Sequence, residues 1–213
     1  MTVKIDLNIS LDGFATTTDQ TPENPMGDDW TRLTAAYVGT RTMREKVLGD
    51  TSGAGTTGVD EKYASAYFEG TGAEIMGAGM FGLHLFGDDP GWRGWWGDEP
   101  PFEVPVLVLT RAPRPSIEFD NGTVFHFIDA TPHDALARAR ELAGDADVRI
   151  GGGIDVVRQF LKAGLVDRLH LAVAPIVLGR GERIWDDLRG IENDYAISSE
   201  VAESGVTHVT FRR

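Results

Sequence analysis

Three consecutive glycines, Gly151, Gly152 and Gly153, stand between an apolar run, DVRI (147–150), and an amphipathic one, IDVVRQFLKA (154–163). Glycine lets a backbone approach a bulky anion, and the unpaired N–H groups at a helix start, with the helix dipole, favour negative charge there. The pattern is that of a cradle for the diphosphate of a dinucleotide, with Ile154 opening the helix. It is not GxGxxG, and a ligand-free strand-to-helix turn uses the same residues. A second run, Met76-Gly77-Ala78-Gly79-Met80-Phe81, again leads from a short apolar strand (AEIM, 73–76) into glycines and a helix. Two such loops in one α/β sheet say more than one, because ligands collect beyond the carboxyl ends of parallel strands. A third strand end, Leu109-Thr110-Arg111, offers a hydroxyl and a guanidinium. A forked arginine suits phosphate, so Arg111 fits an adenosine 2′-phosphate; a solvated loop arginine is the alternative.

Candidates for proton chemistry are fewer. Asp12 follows the first strand and is placed to donate a proton directly or through water, or else to bond its own backbone as a turn aspartate. Asp28 and Asp29 precede a helix and fit caps. His84 titrates near neutral pH but fits a structural or exposed helix residue as well. His126 and His170 alternate within strands and read as sheet residues. Trp92, Trp95 and Trp96, in GWRGWW (91–96), suit either a wall over a planar heterocycle or the packing of a loop or subunit contact. The acids around them, Asp88, Asp89, Asp98 and Glu99, match no calcium loop, and no metal is expected.

The elements that position these residues follow from periodicity. Val3, Ile5, Leu7 and Ile9 alternate with Lys4, Asp6, Asn8 and Ser10, a strand with one more apolar face. Trp30, Leu33, Tyr37 and Val38 recur at helical spacing, and Gly49–Gly58 reads as a mobile excursion before a helix capped by Asp60. Strands are expected over 105–110 and 123–128, and a helix from Thr131-Pro132 to Gly144. Beyond 168 the pattern is mostly strand, at 168–175, 197–201 and 206–211. Alternation of strand and helix followed by strands predicts an α/β fold, a mostly parallel sheet closed by antiparallel strands.

The 213 residues favour one domain over 1–213, with no internal repeat and no dividing linker. A net charge of −13 repels phosphate backbones and anionic lipid, and no basic patch offsets it, so neither nucleic acid nor membrane is an expected partner. No cysteine occurs, which removes disulfides, thiol catalysis and zinc–thiolate sites. No apolar run approaches the ~20 residues of a membrane helix, and the start MTVKIDLNIS lacks the blocks of a signal peptide. A bacterial-type cytoplasm is the expected location.

SLDGFA (10–15), IMGAGMFG (75–82), PVLVLTRAPRP (105–115), DVRIGGG (147–153) and AGLVDRLHLAVAPIVLGRGERIW (163–185) together resemble the dihydrofolate reductase-like superfamily. More narrowly they resemble the branch containing the reductase domain of bacterial riboflavin-biosynthesis enzymes. The likeness runs from Val3 to Phe211 and is poorest at 39–60. It implies a three-layer fold, a central mixed sheet of about eight strands with helices on both faces, and commonly a homodimer. It implies NADPH, with Leu11, Asp12 and Gly13 at the nicotinamide end and Gly77, Gly79, Met80, Thr110 and Arg111 on the adenosine and 2′-phosphate side. Gly151, Gly152, Gly153 and Ile154 would then hold the pyrophosphate. The chemistry implied is hydride transfer to a C=N or carbonyl-derived centre of a pterin- or pyrimidine-like ring.

Two departures stand out. Ala78 and Met80 occupy positions where relatives often carry a basic residue and Thr, which removes one phosphate anchor. No early-helix acid aligns to hold a pterin, although Asp28, Asp29, Glu61 and Glu69 are available, so dihydrofolate itself is not the expected substrate. A non-catalytic nucleotide-binding homodimer and a reductase using a flavin or deazaflavin are the competing functions.

Overall fold

The computed structural model describes residues 1–16 and 18–213. Among them, strands β1 (Val3–Ser10), β2 (Phe14–Thr16), β3 (Thr71–Gly77), β4 (Pro105–Leu109), β5 (Ile117–Glu118), β6 (Val124–Ile128), β7 (Asp147–Gly152), β8 (Arg168–Ala174), β9 (Glu182–Arg183), β10 (Ala196–Val201) and β11 (Thr207–Arg212) alternate early with helices. The helices are α1 (Trp30–Val38), α2 (Arg41–Leu48), α3 (Val59–Phe68), α4 (Ala78–Phe81), α5 (Leu83–Phe86), α6 (Pro132–Ala143) and α7 (Ile154–Lys162). Nine strands form a mixed sheet in the order β10-β11-β8-β1-β7-β3-β4-β6-β5, and β2 pairs with β9 apart from it. About eight strands were expected; the ninth is β5, whose two residues are too short to show a period. Pairs β1–β7, β7–β3, β3–β4 and β4–β6 are parallel, whereas β10–β11 is antiparallel.

Residues gather in two compact units, one of Met1–Ile5 with Gly70–Arg168, the other of Asp6–Glu69 with Leu169–Arg213. In the first, β4 is the doubly covered strand its apolar run predicts, with Val106, Leu107 and Val108 all buried. Its core joins Met76, Phe81, Val106, Val108, Phe119, Phe125 and Phe127. Thr131 caps α6 by accepting from the Asp134 N–H, with Pro132 at the first helical position and Gly144 past its end. Helix α7 buries Ile154, Val156, Val157, Phe160 and Leu161, each contributing roughly 1.5–3 kcal/mol relative to exposure.

In the second unit, the stretch before Gly49, to which the sequence pattern assigns no element, is ordered. Residues Arg41–Leu48 are a helix, capped by Thr40 and ended by a left-handed Gly49. The loop that follows is tied back where Arg41 N–H donates to the Thr56 carbonyl and Thr56 N–H to that of Gly39. The N-cap of α3 is Gly58, not Asp60, which lies in the first turn and is buried. Asp60 forgoes the cap because its carboxylate accepts from a buried histidine.

Candidate functional site

In the first unit the two glycine loops meet. A Cβ on Gly153 would lie 3.1 Å from the Gly77 Cα and 3.2 Å from its nitrogen, so the ends of β3 and β7 press backbone to backbone. Gly153 adopts φ 79° and leads into α7 with no side-chain cap, leaving first-turn N–H groups without an intrahelical partner. Asp155 in that turn pairs with Arg158 at 3.1 Å.

The three glycines serve three different purposes. Gly151 lies within β7, and a Cβ there would overlap the carboxylate of Glu74. Its smallness therefore admits a buried side chain of the protein itself. Gly152 has φ 148°, and a Cβ on it would stand 2.9 Å from the Met80 sulfur. The Met80 thioether thus covers Gly152, and both Gly151 and Gly152 are buried whereas Gly153 is partly exposed. The accessible part of the cradle is Gly153 with the start of α7, where Ile154 itself is buried.

Beneath the loops runs a row of charge. Lys4, Arg149 and Glu74 are paired in register across β1, β7 and β3, and all three are buried. Arg149 donates through Nε at 2.9 Å, and through Nη2, to Glu74 Oε2. Among the described residues Glu74 Oε1 has no hydrogen-bond partner. Burial pushes the Glu74 carboxyl up, and the charges of Arg149 and Lys4 oppose that.

The Thr110 hydroxyl accepts from the Ala112 N–H at 3.1 Å, and Arg111 beside it is exposed. Gly79 and Met80 belong to α4. The tryptophans are fastened to this segment: Trp92 Nε1 donates to the Phe81 carbonyl at 2.9 Å and Trp95 Nε1 to that of Met80 at 2.8 Å. Trp96 stacks on Phe125, 5.6 Å between centroids. Left-handed Gly82 makes room for this, since a Cβ there would come within 2.6 Å of Trp95. Arg114 holds the loop by donating to the Trp92 carbonyl at 2.6 Å, with its guanidinium 4.5 Å from the Phe127 ring centre. Through Met80 and Phe81 the indoles of Trp92 and Trp95 position α4.

Leu11, Asp12 and Gly13 lie in the second unit. Leu11 is exposed, and Gly13, with φ 84°, has the Trp185 ring beside it. Asp12 accepts from Ser10 Oγ at 2.6 Å, from the Leu178 N–H at 3.1 Å and from the Gly179 N–H at 2.7 Å. The Ser10 hydroxyl first, then these amides, hold its carboxyl down at about 2. With these bonds the Asp12 carboxylate clamps the 178–179 loop.

The other acids are also engaged. Asp29 stands at the N-cap of α1 but accepts from Arg32 and Arg180 instead of capping. Glu61 accepts from the Thr42 N–H and hydroxyl, and Asp28 accepts from Asn24. Sequence reasoning passed over Glu74, Arg149 and His208. The signal available was a charged or imidazole side chain inside an otherwise apolar strand, as in AEIM, DVRI and THVTF.

The family model for the RibD C-terminal domain matches residues 1–203. Among curated proteins, the uncharacterized protein YyaP of Bacillus subtilis (strain 168) is 26% identical over 98 residues, 46% of this chain. The match covers 50% of that protein, so the chain spans about half the length of this relative. A putative riboflavin biosynthesis protein from Shewanella sp. PV-4 shares the fold at a TM-score of 0.63 and 20% identity, over 100% of this chain and 99% of that one. Dihydrofolate reductase from Enterococcus faecalis, complexed with NADP(H), superposes at a TM-score of 0.50 and 12% identity, over 100% and 96% of the two chains. Among the described residues no helix is long and apolar enough to cross a membrane.

Proposed function

Because this chain belongs to the RibD C-terminal domain family, we propose that it is a reductase that passes a hydride from NADPH to a small planar heterocycle of the pterin or aminopyrimidine kind. The observation that carries the reading is the crossing of Gly77 and Gly153 at the start of α7, an uncapped helix opening between two strand ends. A dinucleotide fits there on its diphosphate: the N–H groups of Gly153 and Ile154 would bond the phosphate oxygens. Gly152 becomes available when the flexible Met80 thioether swings aside. Gly77 and Gly79 keep side chains away from the adenosine side, and Thr110 with Arg111 would meet the 2′-phosphate.

When bound, the dinucleotide supplies the hydride. The protein's part is to hold and orient. Trp92, Trp95 and Trp96 keep α4, and with it Met80, in place. Asp12 fixes the 178–179 loop by accepting from its amides. Gly151 serves indirectly, by admitting the carboxylate of Glu74. A cytoplasmic homodimer belongs to the same proposal.

Loss of 340 nm absorbance with a panel of oxidised pterins and aminopyrimidines tests the reading. Turnover of at least one ring is expected with NADPH, and Arg111→Ala is expected to weaken NADPH more than NADH. A nucleotide-binding protein without turnover is the second reading, favoured by the engagement of Asp12, Asp28, Asp29 and Glu61 in bonds of their own. Tight NADPH binding with no consumption across the panel would select it.

A further inference from the structure

His170 on β8 and His208 on β11 are both buried, at 2% and 1% exposure, and they are joined end to end with two buried carboxylates. Asp6 Oδ1 lies 3.0 Å from His170 Nδ1. His170 Nε2 lies 2.9 Å from His208 Nδ1, and His208 Nε2 lies 2.9 Å from Asp60 Oδ1. The Tyr63 ring lies flat over both imidazoles, with centroids 4.3 Å and 4.1 Å away. Every member belongs to the second compact unit.

Counting protons along this chain gives a definite answer. An ionised carboxylate only accepts, so each outer link needs a hydrogen on the ring nitrogen facing it. The inner link, nitrogen to nitrogen, needs one hydrogen between two rings. Three links therefore require three hydrogens, whereas two neutral imidazoles carry two and two imidazoliums carry four. With two, one link sets acceptor against acceptor; with four, the inner link sets N–H against N–H. The additional proton resides on imidazole because imidazole is the stronger base, about 6.5 against about 3.9 for an aspartate.

We infer that His170 and His208 share one proton beyond their neutral complement and form, with Asp6 and Asp60, a buried latch that fastens α3 to β1, β8 and β11. The latch holds over a bounded range of pH. Losing the shared proton removes one link from above; gaining a second splits the histidine pair from below. The groups facing it are Asp6 from β1, Asp60, Lys62 and Tyr63 from α3, and Glu200 from β10, which accepts from the Tyr63 hydroxyl at 3.3 Å and pairs with Lys62 at 2.6 Å. Burial presses His208 toward neutrality; the Asp60 hydrogen bond opposes it next, followed by the lowering effect of His170 and the raising charges of Asp60 and Glu200.

Ring-nitrogen NMR of the full chain with labelled histidine tests the latch, His84, His126 and His133 being distinguished by single replacement. At about pH 7.5 the His170–His208 pair is expected to show three protonated nitrogens and one bare one. Asp60→Asn keeps an oxygen to accept from His208 but removes the charge. The midpoint for loss of the shared proton is then expected to fall by about one pH unit, a tenfold loss of proton affinity. Two protonated nitrogens in the pair at about pH 7.5, or four, would overturn the inference, as would an unmoved midpoint in Asp60→Asn.

Discussion

The most informative perturbation is the smallest, Gly151→Ala. The backbone at Gly151 is not in the left-handed region, so alanine meets no conformational obstacle there. Its Cβ would nevertheless overlap the Glu74 carboxylate, which is fully buried and bonded to an equally buried Arg149. Either the carboxylate leaves Arg149 or β7 shifts. Breaking a buried ion pair costs about 3–5 kcal/mol, because a charge is left without a partner. For a chain of this size that is roughly 6–20 °C in Tm. Denaturant titration of Gly151→Ala, Glu74→Ala and the double variant separates the contributions. Glu74→Ala removes the obstructing carboxylate, so adding Gly151→Ala to it is expected to cost under about 1 kcal/mol. A penalty of the same size in both backgrounds, or a single variant as stable as the parent, would refute the argument that Gly151 exists to admit Glu74.

Met80→Ala uncovers Gly152, and NADPH affinity by calorimetry is expected to rise about two- to tenfold, the scale of one displaced flexible side chain; an unchanged Kd would mean that the thioether is not in the ligand's way. Asp12→Asn is expected to leave the pH profile of turnover between about pH 5 and 9 unmoved, since a carboxyl held at about 2 is already ionised there. Its depressed value contributes stability that is present above the ordinary aspartate range and lost as pH falls toward about 2, so acid unfolding of Asp12→Asn should lack that component. With burial holding His208 below its ordinary value, the unfolded chain takes up a proton on falling below about pH 6.5 that the folded chain refuses. Stability is therefore expected to fall with pH there by up to about 1.4 kcal/mol per unit, and a flat profile down to about pH 5 would contradict it.

Local chemistry was legible in the sequence where it is confined to neighbours. Thr131-Pro132 and Gly144 bound α6 as their types dictate, and PVLVL is the doubly buried strand its unbroken apolarity predicts. Pairings between distant residues were not legible. The alternation in β1 separates apolar Val3 and Ile5 from polar Lys4 and Asp6, yet all four are buried. The polar side of that strand is an interior of paired charges, with Arg149 opposite Lys4 and His170 beside Asp6. Partners some 145 or 164 positions away leave no periodic trace. The same distance effect hid the purpose of the glycines: GGG reads as a ligand cradle because Glu74 and Met80, which occupy two of its three faces, come from another strand and helix. Helix α2 was not legible for a local reason: RTMREKVL buries only Met43, so no apolar period marks it.

Calorimetric titration of the unmodified protein with NADPH, alongside its Gly153→Val variant, bears most directly on the proposed function. Gly153 is left-handed and backs onto Gly77, so valine there closes the opening of α7. The account predicts saturable NADPH binding to the parent and its loss from a variant that remains folded by circular dichroism. Failure of the parent to bind NADPH even near the millimolar limit of weak affinity, or undiminished binding by the folded variant, would contradict it.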